Sequence, residues 1–285
     1  MNTDDLDNLL RRFHRRVNHI GVIRTLGVLA VVLLAVWSTW EPAQLDRRMA
    51  ALLIGGVLLG WIVLALVTVH LARMLQMARI LLGTGQTDNA RVWLGRVMTG
   101  MSLSSRIQLV ACQHLASSFS SKDAHHEVVL ICRELLRHRL GRLKNVAVNA
   151  RLMLADSLLM LDRLAEAYEA IRPVYDLPLS LADRMKLLPI QLRYELRSGQ
   201  PALAVESLPE KVRIAELLES PQAALVHAML AKACRRRAMP AQSEFLLRRA
   251  RLYADLEPLA RRYSVIADIT SADSSARGVS PEDHA

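Results

Sequence analysis

The alternation of hydrophobic and polar positions along this chain is interrupted after residue 24 by two long apolar runs without charge. The first run, Thr25 to Trp40, has 16 residues, and the second, Met49 to Ala72, has 24. A helix needs about 20 apolar residues to cross a bilayer core. We therefore expect two transmembrane helices, at about 22–40 and 49–72. The connector is only eight residues long, so residues 21–72 are predicted to form a hairpin.

Arginine residues flank this hairpin unevenly. Five precede the first run and four follow the second, whereas the two in the connector lie beside two acidic residues. Positive charge near membrane spans accumulates on the cytoplasmic side. We therefore expect a multi-pass protein of a bacterial-type inner membrane with both chain ends in the cytoplasm. The residues expected at the membrane interface are Arg11, Arg12, Arg15, Arg16, Arg24, Trp37 and Trp40.

Residues 1–20 have the periodicity of a basic amphipathic helix. Leu6, Leu10 and Phe13 share one face, and most of the arginines lie elsewhere. Such a helix either lies on anionic headgroups through its arginines or packs on the soluble domain. Its position just before a membrane span favours the headgroups.

The second apolar run contains a GxxxG motif, Gly56 and Gly60, which lets helices approach closely. The motif could pack the two spans together, form a homodimer of two chains, or have no special role. From Gly60 to Gly83 the chain has no further Gly or Pro. The second helix is therefore predicted to continue past the membrane, over Ala72 to Leu82.

One pattern recurs after the hairpin at intervals of 36, 41, 37 and 39 residues. An apolar helix is followed by a short polar or Gly-containing turn, then by a small residue with a large apolar one four positions later. These two positions are Ala90 and Leu94, then His126 and Leu130 in a degenerate copy, Ala167 and Ile171, Ala204 and Leu208, and Ser243 and Leu247. One helical hairpin needs about this length, so residues 73–263 are predicted to form about five stacked helix pairs.

The copy from Arg151 to Tyr175 resembles the tetratricopeptide repeat family. The positions that carry the resemblance are Leu154, Ala155 and Leu158, where the family has Leu-Gly-x-x-Tyr, and Ala167 and Ile171, where it has Ala-x-x-x-Phe. The resemblance implies an all-α solenoid whose concave face binds protein or peptide segments, without catalytic residues. On this interpretation Asn145, Asn149 and Arg184 lie on first helices and are candidates for partner binding.

The net charge of +10 is carried mostly by Arg, with 32 Arg against 5 Lys. Its densest segment begins at Arg235, Arg236 and Arg237 and ends at Arg262. This segment could bind an acidic partner or the membrane surface. Nucleic acid is disfavoured because aromatic residues for base stacking are scarce there.

The sequence contains no motif for catalysis, a cofactor or a metal ion. The segment GTGQTD at Gly83 lacks the Lys-Ser/Thr of a phosphate-binding loop, and His125, His126 and Glu127 point in different directions on a helix. The three cysteines are widely spaced, which is typical of buried apolar side chains in a reducing compartment.

These patterns together predict an all-α membrane-anchored scaffold or adaptor with a Ser-rich disordered tail over residues 264–285. Its expected partners are the lipid bilayer and a protein or peptide segment in the repeat groove, and no cofactor is expected. Two alternatives stay open. One is an enzyme or accessory subunit of a membrane complex with an unrecognised site, and the other is an electrostatic tether for acidic partners or nucleic acid.

Overall fold

The computed structural model describes residues 3–40, 47–102, 104–141 and 143–269, and within them it contains helices and no strand. The predicted all-α fold is confirmed for this part of the chain. The helices are α1 (Thr3–Trp40), α2 (Arg47–Gly83), α3 (Thr87–Thr99), α4 (Ser105–Ser120), α5 (His125–Arg137), α6 (Lys144–Met160), α7 (Leu164–Tyr175), α8 (Leu181–Arg197), α9 (Pro201–Val205), α10 (Leu208–Ala215), α11 (Ser220–Arg236), α12 (Pro240–Tyr253), α13 (Leu256–Arg262) and a 3-10 turn (Ser264–Ile266).

The chain divides into two compact units, Met1–Met153 and Leu154–Ala285. In the first unit consecutive helices from α2 to α5 pack pairwise, and α1 lies against α3, α4 and α5. In the second unit α11 packs against α8, α9, α10 and α12. Each unit therefore has its own buried apolar core.

The two predicted spans lie on unusually long helices. Helix α1 joins the predicted amphipathic helix and the first apolar run without a break, and α2 continues to Gly83. The predicted helical continuity from the second apolar run to Leu82 is confirmed, and its course past a membrane stays a prediction. Within the described residues one segment, Gly55–Gly83, is long and apolar enough to cross a membrane, and almost none of it is buried. Several side chains of the first apolar run lie outside the described part, as do those of Arg24, Trp37 and Trp40. The membrane crossing expected for this first run therefore stays a prediction.

Helices α1 and α2 approach each other at Gly27 and Trp61. A Cβ atom at Gly27 would lie 3.6 Å from Cζ2 of the Trp61 ring. At Gly56 and Gly60, a Cβ atom would have no described atom within 4 Å outside the glycine, its chain neighbours and the nearby backbone of α2. The packing or dimerisation role of these two glycines therefore stays a prediction.

The apolar face of the N-terminal helix is covered by protein. Leu6, Leu10 and Phe13 are buried, and the Leu9 side chain lies 3.7 Å from the position of a Cβ atom at Gly95 on α3. The structure therefore shows the packed alternative for this face rather than burial among headgroups. The arginines on the opposite side are exposed, and their contact with lipid stays a prediction. They are Arg11, Arg12, Arg15 and Arg16.

Five turns of the described chain share one hydrogen-bond pattern. A residue with positive φ follows the first helix, and the N–H of the next residue donates to the carbonyl five positions earlier, as in the Schellman motif. The positive-φ residues are Gly85, Asp123, Asp162, Gly199 and Ala238. The hydrogen bonds run from Gln86 to Leu81, Ala124 to Phe119, Arg163 to Leu158, Gln200 to Glu195 and Met239 to Cys234, at 2.8 to 3.1 Å. The turns recur every 37 to 39 residues, which is consistent with a helical repeat.

The predicted small positions lie mainly where the two helices of a pair meet. Ala90, Ala167 and Ala204 are fully buried. Ser243 on α12 donates through Oγ to the Ala231 carbonyl of α11 at 2.8 Å. A larger side chain at these positions would separate the paired helices.

Two copies differ from the predicted pattern. In the degenerate copy His126 and Leu130 are exposed, and Val128 and Cys132 are the buried pair. The small and large positions predicted for this copy were therefore wrong, because they lie two residues before the buried pair.

In the fourth copy Ala204 and Leu208 do not share a helix, because α9 ends at Val205 and Ser207 has a φ of 54°. Pro209 lacks the N–H that would donate to the Val205 carbonyl, and its ring would clash with that carbonyl. The second helix of this pair is therefore divided into α9 and α10.

The C-terminal unit extends beyond the predicted boundary at residue 263. Val265, Ile266 and Ile269 are buried. Lys232 donates to the Val265 carbonyl at 2.7 Å and to the Asp268 carboxylate at 2.6 Å. Residues 264–269 therefore cover the end of the core, and residues 270–285 of the predicted tail lie outside the described residues.

Candidate peptide-binding groove

The second helix of the fourth pair is divided into α9 and α10. This division leaves an open groove between α7, α8 and α10 in the C-terminal unit. Two adjoining cavities of about 470 and 340 Å³ form it, and they share Tyr175, Gln191, Ser207 and Lys211. We call it the tyrosine groove, defined by Tyr168, Tyr175, Gln191, Tyr194, Glu195 and Lys211.

Three tyrosines form the aromatic wall. Tyr168 and Tyr175 are seven residues apart on α7 and therefore lie on one face, where they are 38% and 43% exposed. Tyr194 of α8 stacks on Tyr168 with a centroid distance of 5.4 Å and an interplanar angle of 23°. Burial, with a smaller contribution from nearby Glu195, raises the pKa of Tyr175. The Tyr175 hydroxyl is therefore neutral and can donate a hydrogen bond to a ligand.

A carboxylate lies at the base of the groove. The Glu195 side chain is 7% exposed, and its Oε1 accepts a hydrogen bond from Gln191 Nε2 at 2.6 Å. Its Oε2 has no hydrogen-bond partner among the described residues. The nearest cation, Lys211 Nζ, is 3.6 Å from Oε2. Burial raises the pKa of Glu195 against the opposing effects of Gln191 and Lys211.

Lys211 is held by the broken helix. Its Nζ donates to the carbonyls of Leu203 and Ala204, at 2.6 and 3.1 Å, near the C-terminal end of α9. A cation at a helix C-terminus is stabilised by the carbonyls that lack intrahelical partners. Because Lys211 is directed to these carbonyls, it leaves the Glu195 carboxylate incompletely satisfied.

One predicted partner-binding residue lies at the groove. Arg184 borders the second cavity, where its Nη1 is 3.4 Å from Glu210 Oε1. Asn145 and Asn149 lie on α6 in the N-terminal unit and are not among the residues that line the groove.

The three consecutive arginines predicted as a docking segment are exposed at the end of α11. Arg236 also has a structural role, because it donates to the Leu196 carbonyl of α8 at 3.0 Å. Arg197 makes the equivalent bond to the Leu159 carbonyl of α6. These two arginines therefore connect successive first helices within the C-terminal unit.

Comparisons with protein-family models, curated proteins and solved structures give no match. The likeness to tetratricopeptide repeats therefore rests on the residue pattern and on the paired helices.

Sequence reasoning did not identify the tyrosines or Glu195 as site residues. Two local signals were present, since Tyr168 and Tyr175 have i,i+7 spacing and Gln191 and Glu195 have i,i+4 spacing. The cavity between them, however, depends on the helix break before Pro209. A pattern of continuous helix pairs did not anticipate this break.

Proposed function

We propose that this protein is a membrane-anchored scaffold whose tetratricopeptide-like array binds a protein segment in the tyrosine groove. The segment carries a cationic side chain that reaches Glu195 between the tyrosine rings. The observation that carries the proposal is the buried Glu195 Oε2 beneath an open aromatic wall. This oxygen has no hydrogen-bond partner among the described residues and only a long ion pair with Lys211, at 3.6 Å.

The chemistry of the groove supports a cationic side chain. A carboxylate can accept several hydrogen bonds, and those of a guanidinium or ammonium group are stronger than neutral ones. Tyrosine faces attract cations at short range. Aromatic side chains are also frequent centres of binding energy at protein interfaces.

The membrane anchor in this proposal is a hairpin of two spans. The Gly55–Gly83 segment supports one crossing by its length and composition, and the α1 backbone is helical through the other apolar run. With both ends in the cytoplasm, the α2 extension would hold the array close to the inner bilayer surface. The exposed arginines of α1 would then face anionic lipid.

Peptide binding by the full chain in lipid nanodiscs tests the groove. Short peptides with a central Arg or Lys flanked by apolar residues should bind. When uncharged citrulline replaces Arg in these peptides, the dissociation constant should rise by a factor of about ten or more. Glu195→Gln and Tyr168→Ala should reduce affinity for the Arg peptide to a similar extent.

Leu252→Ala is the matched control, because Leu252 is 85% exposed and does not line the groove. If citrulline and Arg peptides bound equally, or if Glu195→Gln behaved as Leu252→Ala does, the proposed recognition would be wrong. Topology is tested separately with reporter fusions. A periplasmic reporter should be active in the connector and inactive at the C-terminus.

A further inference from the structure

Three side chains that commonly bind metal ions converge in the N-terminal unit. His14 comes from α1, Glu134 from α5, and His138 follows the last residue of α5. One donor atom from each lies within 4.8 Å of the others. Because His14 and Glu134 are 120 residues apart, only the packing of α1 on α5 brings the three together.

The His138 imidazole has an unused donor atom in a buried position. Its side chain is 6% exposed, and its Nε2 makes no hydrogen bond of normal geometry among the described residues, although Glu134 Oε1 lies 3.5 Å away. The rings of Phe13 and His14 pack against it, each with a centroid distance of 5.2 Å. A buried polar atom without a partner costs about 1–3 kcal/mol, so this arrangement points to a ligand that the nitrogen can bind.

The distances suit a single ion after small side-chain movements. His14 Nδ1 is 2.6 Å from Glu134 Oε1, and His138 Nε2 is 3.5 Å from the same oxygen. Ligand atoms about 2.0–2.2 Å from one tetrahedral zinc ion are roughly 3.4 Å apart. We propose that His14, Glu134 and His138 bind a divalent transition-metal ion of the zinc class, with water completing its coordination.

The surrounding groups support this choice of ion. Asn18 Nδ2 lies 3.1 Å from His14 Nε2. After rotation of its amide, Asn18 can accept a hydrogen bond from that nitrogen and orient the ring for metal binding through Nδ1. Arg137 contacts Glu134 Oε2 at 3.1 Å and leaves Oε1 for the ion.

A cavity beside the cluster, lined by Asp7, His14 and Glu134, also has four arginines on its wall, Arg11, Arg15, Arg133 and Arg137. Their charge opposes ions that are held mainly by electrostatic attraction, such as Mg²⁺ or Ca²⁺. Two imidazoles and one carboxylate instead form a donor set that suits zinc-class ions. The bound ion would join α1 to α5 and fix the N-terminal helix on the first helix pairs. This proposal does not depend on the tyrosine groove.

Metal titration of the full chain in detergent micelles tests the site, after removal of any affinity tag and dialysis against a chelator. We expect one equivalent of Zn²⁺ to bind and to raise the melting temperature. We also expect Co²⁺ to give the visible absorption bands of a low-symmetry nitrogen and oxygen site. His14→Gln and Glu134→Gln should each weaken Zn²⁺ binding by more than about tenfold.

His126→Gln is the matched control, because His126 is an exposed histidine of the same helix α5. His14→Gln changes a partly exposed side chain, so its helical circular dichroism without metal should equal that of the unaltered protein. Equal Zn²⁺ affinity in the unaltered protein and in His14→Gln would overturn the proposal. So would a loss of binding in His126→Gln as large as that in His14→Gln, since both results indicate adventitious binding.

Discussion

Gly199 and Ala238 occupy the same left-handed position in two turns that are one repeat apart, with φ values of 74° and 55°. In each turn the next residue donates to the carbonyl five positions earlier, from Gln200 to Glu195 and from Met239 to Cys234. Gly199 is suited to this left-handed conformation because it lacks a Cβ atom, whereas Ala238 at the equivalent position is not.

This relationship predicts opposite effects of two reciprocal substitutions. Left-handed backbone costs a residue with a Cβ atom roughly 1–2 kcal/mol relative to Gly. Ala238→Gly should therefore stabilise the C-terminal unit, and Gly199→Ala should destabilise it by a similar amount, about 1 kcal/mol. Apart from Gly199 itself and its chain neighbours, no described residue has an atom within 4 Å of a Cβ atom at this position, so the effect reports backbone strain alone. Thermal melting followed by circular dichroism measures both, and shifts of the same sign would contradict the shared geometry.

The charged form of Glu195 should lower the free energy of unfolding, because its carboxylate is buried at the base of the groove. Burial raises its pKa, so the folded state holds the proton more tightly than the unfolded state does. Stability should therefore fall as pH rises from about 4, the ordinary carboxyl value, through the raised pKa of the folded state. Glu195→Gln should remove this loss and raise the melting temperature at neutral pH. It should also weaken binding of cationic peptides.

Glu210→Gln is a suitable control because Glu210 is exposed and its ion pair with Arg184 lies at the surface. It should change the melting temperature by much less across the same pH range. If Glu195→Gln were less stable than the unaltered protein at neutral pH, the carboxylate would be a net structural contribution rather than a binding group.

Arg193 is expected to be the most sensitive charged residue of the C-terminal unit. Its side chain is 6% exposed and pairs with Asp156 of α6, and its guanidinium lies 5.1 Å from the centroid of the Tyr263 ring. Removal of one partner from a buried ion pair costs about 3–5 kcal/mol. Arg193→Ala should therefore lower the melting temperature strongly, whereas Arg184→Ala, at an exposed pair, should cost less than about 1 kcal/mol. Equal shifts would indicate that the Arg193 pair contributes little.

The cysteines should be unreactive in the folded protein. Cys112, Cys132 and Cys234 are free and buried, and burial raises the pKa of Cys132 to about 12. The thiolate is the reactive form, so a maleimide reagent at neutral pH should label the protein only after denaturation. Mass spectrometry of native and denatured samples checks this. Labelling of native Cys112 or Cys132 would show that the pair α4–α5 opens locally, and labelling of Cys234 would show the same for α11.

Sequence patterns predicted helix pairing better than helix packing. The turns at Gly85 and Gly199 can be predicted from their glycines. Asp162 and Ala238 adopt the same positive φ, which their residue types do not indicate. The apolar face of residues 1–20 has the same periodicity whether lipid or protein covers it, so its burial against α3 and α5 could not be chosen from the pattern. The cluster of His14 with Glu134 and the tyrosine groove depend on tertiary contacts. These contacts join residues that are far apart in the chain, and the hydrophobic pattern of a single sequence does not predict them.

Gly100 is predicted to couple helix α2 to the turn that follows α3. A Cβ atom at this position would lie 2.6 Å from Cδ2 of Leu71, a buried residue of α2, and 3.3 Å from the Arg96 carbonyl oxygen. Leu71 must therefore move if Gly100 becomes alanine. Overpacking of this kind costs about 1–3 kcal/mol, so Gly100→Ala should destabilise the N-terminal unit.

A double-mutant cycle separates this clash from other effects of the substitution. Leu71→Ala alone should cost about 2–5 kcal/mol through the cavity it leaves. In that background the clash with Leu71 is gone and only the 3.3 Å contact with the Arg96 carbonyl oxygen remains, so the effect of Gly100→Ala should become much smaller and give a coupling energy of about 1–3 kcal/mol. Thermal melting of the four proteins in one detergent measures the cycle. Additive effects would mean that Leu71 and Gly100 do not meet, and that the α2 extension is not fixed to the array at this point.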